Sequence, residues 1–358
     1  MPSKLAPQSH RRSALALVVS CALALVALPS LAQQNIQGLP RVSQHQAITQ
    51  TVGISQITVD YHRPLVNDRP LYGSLVPYDQ VWRAGANDNT TITFSHPVKI
   101  EGQDLAAGTY GLHMLPGASS WQVIFSSNST SWGSFSYDEG EDVLRVEVAP
   151  ETAPHQEILQ YRFDDLDLDS GVLAMHWGEL RVPFEIEVDT HGQVLAKLRN
   201  DLRTLPGFSW MGWTSAARYC LQNNINTEEA LQWADNAIQR QENFFTLQVK
   251  SGLLQQAGQE EESIALLDRA LEIANEAQVN ALGYQFLQRG MNAKAIEVFE
   301  KNVADYPESW NVYDSLGEAQ AANGQTQQAI ANYSKALEMA PEAQHGRIQG
   351  VLTGLRDG

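Results

Sequence analysis

An all-β antiparallel sandwich followed by an all-α repeat solenoid is the fold this sequence predicts, on three observations. Residues 40–189 carry short alternating runs of β-branched and aromatic residues, split by turn residues. Beyond Asp189-Thr190-His191-Gly192 the period changes from that of a strand to that of a helix. Further on, small, aromatic and proline residues recur 34 positions apart.

Bulk composition fits two globular domains. The 358 residues are enough for each half to bury a core, and 43% hydrophobic against 18% charged content is not that of a disordered chain. The formal net charge of −17 opposes phosphate backbones and anionic headgroups, and no Lys/Arg cluster follows the leading segment. Nucleic acid is therefore not an expected partner, nor is a membrane surface.

Residues 1–32 read as an address. Lys4, Arg11 and Arg12 precede an apolar stretch from Ser13 to Leu28, and Leu31-Ala32 ends a small-residue cleavage site. That pattern predicts a secretory signal cut after Ala32 and a periplasmic or extracellular protein, with no second stretch apolar enough to span a membrane. Val18-Val19-Ser20-Cys21 offers a competing lipid-anchoring site, but apolar residues continue well past Cys21. After cleavage Cys220 is the remaining cysteine, so no internal disulfide staples the fold. Its helical surroundings predict a small buried side chain rather than a reactive thiol.

Strands are expected at Ile57–Tyr61, Thr90–Phe94, Trp121–Phe125, Val143–Val148, Ile158–Phe163, Val172–Trp177 and Val182–Val188. Glu101-Gly102, Pro116-Gly117, Asp169-Ser170-Gly171 and Gly178-Glu179 supply the turns between them. Nine or ten strands at this spacing, with no helix among them, predict two packed antiparallel sheets, an open barrel being the other architecture.

The same residues carry a resemblance. Val59-Asp60-Tyr61-His62-Arg63-Pro64, Leu75-Val76-Pro77-Tyr78 and Val81 to Asn87 occur in the order of an uncharacterised bacterial family, domain of unknown function 2911. Ala107 to Leu112, Trp121 to Phe125, Trp132-Gly133 and Asp142 to Val146 extend the similarity over residues 40–189. The resemblance implies an exported β-rich domain and brings no activity.

Candidate ligand-binding residues are Tyr61, Arg63, Arg69, Trp82, Arg83, Asn87 and His113. Arginines hold carboxylates or phosphates bidentately, an aromatic face covers a ligand and an amide orients it. The competing account is structural: Trp82 in the core, Arg83 paired with an acid, Asn87 in a left-handed turn.

Asp165, Asp167 and Asp169 mimic a calcium loop, but the glycine falls one position late and His176 stands where the bidentate Glu belongs. The scattered histidines form no zinc-ligand pair, and neither a nucleophile elbow nor a phosphate-cradling glycine loop occurs. No metal or cofactor is expected.

Val194, Leu195, Leu198, Leu202 and Leu205 predict a linker helix over 190–206, ended by Pro206-Gly207. Gly283 with Gly317, Gly290 with Gly324, Ala295 with Ala329, Phe299 with Tyr333 and Pro307 with Pro341 then identify tetratricopeptide helix hairpins in a domain spanning 207–358. Small residues let the helices of one unit approach, and the proline stops the second helix. Two earlier, degenerate units bring the count to about four, with a capping helix over 343–355. First-helix positions Asn280, Tyr284, Asn311, Asp314 and Glu318 are the candidate peptide contacts.

The expected function is that of an exported binding or scaffold protein. Its sandwich would take a small ligand, glycan or envelope component, and its repeats a protein or peptide. A hydrolase of glycans or esters, with a pocket near Trp82, Arg83 and Asn87, is the alternative from another class; a purely structural assembly protein is the third.

Overall fold

The computed structural model describes residues 40–357; the expected leader, with Ala32 and Cys21, lies outside them. The chain divides into two compact units, one covering Gln56–Glu187 with the strand before it, the other Val188 onward together with the turn Val52–Ser55.

The described residues of the first unit form ten strands: β1 Gln44–Val52, β2 Ser55–Arg63, β3 Thr91–Phe94, β4 Val98–Ile100, β5 Gln103–Leu105, β6 Gly108–Pro116, β7 Trp121–Ser126, β8 Asp142–Val148, β9 Glu151–Asp164 and β10 Ser170–Val188. They form a six-stranded sheet, β1-β2-β3-β6-β7-β8, and a four-stranded sheet, β5-β4-β10-β9. Alternation dictates which side chains go inward. Ile57, Val59 and Tyr61 of β2 are buried, as are Ile92 and Phe94 of β3, while the residues between them face outward. Phe125 of the first sheet and Phe184 of the second meet edge to face, 6.0 Å between ring centres.

Gly178 does not form the turn expected of it. Val172–Trp177 and Val182–Val188 belong to one strand, β10, and Gly178, at φ +62°, marks a break in its register with β9. A glycine there accepts the left-handed backbone of a bulge without ending the strand. Glu101-Gly102 do turn the chain between β4 and β5, both with positive φ.

The second unit is helical: α1 Thr190–Asp201, α2 Trp210–Asn223, α3 Thr227–Arg240, α4 Phe244–Gln256, α5 Glu260–Glu272, α6 Glu276–Gln288, α7 Asn292–Asp305, α8 Trp310–Ala322, α9 Thr326–Met339 and α10 Glu342–Asp357. α2/α3, α4/α5, α6/α7 and α8/α9 are the four hairpins, and α10 packs on α9 as the cap. α1 is part of this unit rather than a linker, because Leu195, Leu198 and Leu202 join the core of α2, α3 and α4.

Close approach explains the 34-residue pattern. A Cβ on Gly283 would stand 2.4 Å from the Phe299 ring, and one on Gly317 3.0 Å from Tyr333, so each glycine admits the aromatic of the next helix. In the second hairpin Ser251 and Ser263 take this place. Each hydroxyl donates to the other's carbonyl at 2.8 Å, satisfying polar groups where α4 and α5 touch.

Gly283→Ala is expected to lower stability by about 1–3 kcal/mol through overpacking against Phe299. Gly346→Ala in α10, where nothing lies within 4 Å of the added methyl, is expected to be neutral or to stabilise by up to about 1 kcal/mol. Denaturant unfolding of both variants checks the contrast.

Candidate functional site

Segment 64–90, which carries most of the expected site, runs as loop backbone between β2 and β3 and is fastened to both sheets. Trp82 and Met114 of β6 exchange two backbone hydrogen bonds of 2.8 Å, and the Tyr72 hydroxyl donates to the Trp177 carbonyl of β10 at 2.9 Å. The Tyr161 hydroxyl of β9 donates to the carbonyl of Ala84 at 2.8 Å. Ala84 is fully buried at φ +50°, a conformation unfavourable for a residue with a side chain.

Most of the expected ligand residues are occupied in this framework. Tyr61 is buried: its hydroxyl accepts from the Tyr161 amide at 3.0 Å and donates to Gln46 Oε1 at 2.7 Å. Arg63 donates to the Leu159 carbonyl, and Arg69 to those of Val66 and Leu65. Trp82 stacks on Trp177 with ring centres 5.9 Å apart. Asn87, at φ +57°, donates to the Ser43 carbonyl and lends its own carbonyl to Arg83. Arg63 thus bonds to a carbonyl of β9, and Arg69 and Arg83 to carbonyls within segment 64–90 itself.

Arg83 and His113 do share a neighbourhood, the loop of residues 127–138 between β7 and β8. Arg83 Cζ lies 5.6 Å from the ring centres of both Trp132 and Phe135. These two rings stack with centres 5.7 Å apart and planes 12° off parallel, and both are exposed. No acid among the described residues forms an ion pair with Arg83. Asp88, which acts on it, is bound instead to Arg41 at 2.7 Å. Burial lowers the Arg83 pKa, and Asp88 partly opposes this.

His113 is buried below the same loop, with Nδ1 2.9 Å from Ser134 Oγ and its ring edge-on to Tyr137. The Tyr137 hydroxyl donates to Asp142 Oδ2 at 2.6 Å and accepts from Arg145, which also pairs with Asp142. Burial pulls the His113 pKa down to about 4; Asp142 opposes this and Arg83 adds to it. The imidazole is neutral over the physiological range.

Among the described residues no group of three or more His, Cys, Asp or Glu is placed to hold a metal ion. Asp165 and Asp167 sit in the turn between β9 and β10, where the Asp167 amide bonds the Ser170 carbonyl. Burial pushes the Cys220 thiol up to about 11, away from thiolate chemistry.

In the repeat unit, the expected peptide contacts gather on α6 and α8, and three of them are already paired. Tyr284 donates to Glu318 at 2.8 Å, and Asp314 is buried in an ion pair with Arg347 of α10 at 2.9 Å. Burial raises the Asp314 pKa although Arg347 pulls the other way. Asn280 keeps a buried side-chain oxygen without a partner, and Asn311 lies half-buried on α8.

A larger opening lies alongside, between the second and third hairpins. α3 packs on α4 and α7 on α8, but α5 makes no comparable contact with α6. Their shared core holds Ala270, Leu271, Val279 and Leu282, while Ile264 and Met291 stay exposed. The resulting groove, of about 740 Å³, is also lined by Phe245, Val249, Leu267 and Phe286 and by the amides of Gln248, Gln255 and Gln285. Arg218, Arg289 and Lys294 border it against a single acid, Glu260. The sequence signal for this groove was α4 itself. Phe244 and Leu247 join the core of α5 and α6, Val249 and Leu253 that of α2 and α3, and Phe245 lines the opening, so the helix is apolar on more than one side.

Together these features define a two-domain protein of the sandwich-plus-helical-repeat class. Residues 43–186 match the family described as "Protein of unknown function (DUF2911)", in agreement with the resemblance read from the sequence. No curated protein matches the chain. Among solved structures the chain is similar to YrrB, titled a TPR protein with an unusual peptide-binding site, at 18% identity and TM-score 0.27, over 42% of this chain and 78% of that one. MamA from Desulfovibrio magneticus RS-1 aligns at 18% identity and TM-score 0.25, over 40% of this chain and 92% of that one. The C-terminal part of a TPR repeat-containing protein from Cytophaga hutchinsonii gives 19%, TM-score 0.29, and coverages of 42% and 58%. The repeat assignment itself rests on the hairpins and glycine–aromatic contacts of this chain.

Tyr161→Phe leaves the buried Ala84 carbonyl with a weakened set of donors and is expected to cost about 1–3 kcal/mol in denaturant unfolding. For His113, the folded pKa of about 4 lies below the ordinary 6.5, so the unfolded chain binds the proton first. Stability present above about 6.5 is lost as pH falls towards 4, and His113→Gln should make melting temperature less steep in pH across that window. His62, also depressed by burial, retains part of the slope.

Proposed function

We propose that the chain is an exported binding protein whose repeat domain docks an extended peptide carrying apolar and acidic side chains. The observation that carries this is the groove between the second and third hairpins. It combines an apolar floor, amides and three cations, in a chain whose formal net charge is −17. Apolar side chains of a peptide would gain burial against Phe245, Ile264 and Phe286, and glutamine amides would bond its backbone. Arg218 and Arg289 form no ion pair among the described residues, and Lys294 lies over the Phe286 ring, so all three are available to acids. Export is supported by the basic start, apolar run and Ala32 cleavage pattern of residues 1–32.

The test is fluorescence polarisation of the full chain with labelled peptides that alternate Leu or Phe with Glu, against matched peptides carrying Lys. The acidic peptides are expected to bind more tightly. Phe245→Ala and Arg289→Glu should each weaken them by roughly tenfold, whereas Asp169→Asn in the sandwich should change nothing. Equal binding of both peptide sets, or affinity untouched by Phe245→Ala and Arg289→Glu, would count decisively against the groove.

A further inference from the structure

The loop of residues 127–138 holds two large apolar side chains in water although its base is fixed. Ser134 is tied to His113, Tyr137 to Asp142 and Arg145, and Asn128 to Glu141. With those anchors in place, Trp132 at 59% and Phe135 at 80% exposure stand outside the core. An exposed, mutually stacked aromatic pair beside a cation is an unusual surface for a soluble domain.

Arg83 is the second half of the arrangement. Its Nη1 donates to the Asn87 carbonyl at 2.8 Å; its Nε and Nη2 have no hydrogen-bond partner among the described residues. A half-buried cation without an acid is costly unless an anion completes it. Gly133, at φ +69°, makes the approach possible: a Cβ there would fall 2.5 Å from Arg83 Nη1. The guanidinium therefore lies against the loop backbone, with donors to spare and ring faces beside it.

We propose that Arg83, Trp132 and Phe135 form a binding site for an acidic sugar. The sugar's carboxylate takes the free guanidinium donors, and the C–H face of its ring lies on an exposed aromatic face. A planar two-oxygen anion matches the fork of an arginine. Aromatic faces carry the negative lobe of the quadrupole, so they favour polarised C–H groups over the anion itself. A neutral sugar leaves Arg83 unmatched, and a carboxylate on a flexible chain offers the rings no flat body to cover. This site is independent of the peptide groove.

The experiment is calorimetric titration of the full chain with trigalacturonate, its methyl ester and benzoate. Trigalacturonate is expected to bind, and the ester about tenfold more weakly because esterification removes the charge. Phe135→Ala should also weaken binding roughly tenfold while keeping the wild-type melting temperature, since the ring is exposed. Arg83→Gln should abolish the preference for acid over ester; if it unfolds, Phe135→Ala and the ester comparison decide. No heat with millimolar trigalacturonate, equal affinity for acid and ester, unchanged affinity in Phe135→Ala, or tighter binding of benzoate than of the sugar each overturns the proposal.

Discussion

Irregular backbone that is buried against a sheet needs partners for its amides and carbonyls, and that constraint shapes the first domain where segment 64–90 goes inside, at Leu71, Val76, Ala84, Gly85 and Thr90. Segment 64–90 meets it by bonding to both sheets: Trp82 to β6, Tyr72 to β10, and Ala84 to the hydroxyl of Tyr161 on β9. The Tyr161 contact holds Ala84 in a left-handed conformation, and Arg83 beside it reaches the loop carrying Trp132 and Phe135. Tyr61 supports the arrangement from beneath, its hydroxyl joining Gln46 to the Tyr161 amide. A segment of this kind looks like a binding loop in sequence because it is rich in polar and aromatic groups. Most of those groups are spent on holding it in place.

The repeat domain obeys a different constraint, the closeness of helix axes. Glycine opposite an aromatic, at Gly283–Phe299 and Gly317–Tyr333, or serine opposite serine, at Ser251–Ser263, marks the close approach within the second, third and fourth hairpins. Spacing between hairpins is less uniform. Where α5 and α6 approach less closely, apolar side chains beside their shared core line a groove. A helical array gains a binding surface in this way without changing any hairpin, because each repeat is stabilised largely by its own pair and its neighbours.

Charge gives the two regions a common logic. On a chain of net charge −17 many cations of the described residues sit in ion pairs, such as Arg145 with Asp142, Arg181 with Glu151 and Arg199 with Glu229. Arg83, Arg218 and Arg289 have no acid of their own and stand beside exposed aromatic or apolar surface. In an acidic protein an unmatched cation next to such surface is a local reversal of field, and both proposed sites draw on it.

The sequence by itself determined the two architectures, because both rest on periodicity. Alternation decided which faces of β2 and β3 are buried, and 34-residue recurrence located the last two hairpins and the glycines that let their helices touch. It also rendered Cys220 as a buried apolar group. Only the tertiary structure decided which polar residues remain free. Arg63, Arg69 and Arg83 read alike in the chain and all three donate to carbonyls, yet only the third also reaches a pair of rings about fifty residues away. Gly178 likewise reads as a turn until its strand is seen to pair on both sides of it. The physical reason is that burial and alternation are local properties written residue by residue. Whether a side chain is consumed or available depends on partners supplied by distant segments, and those are fixed only when the sheets and hairpins close.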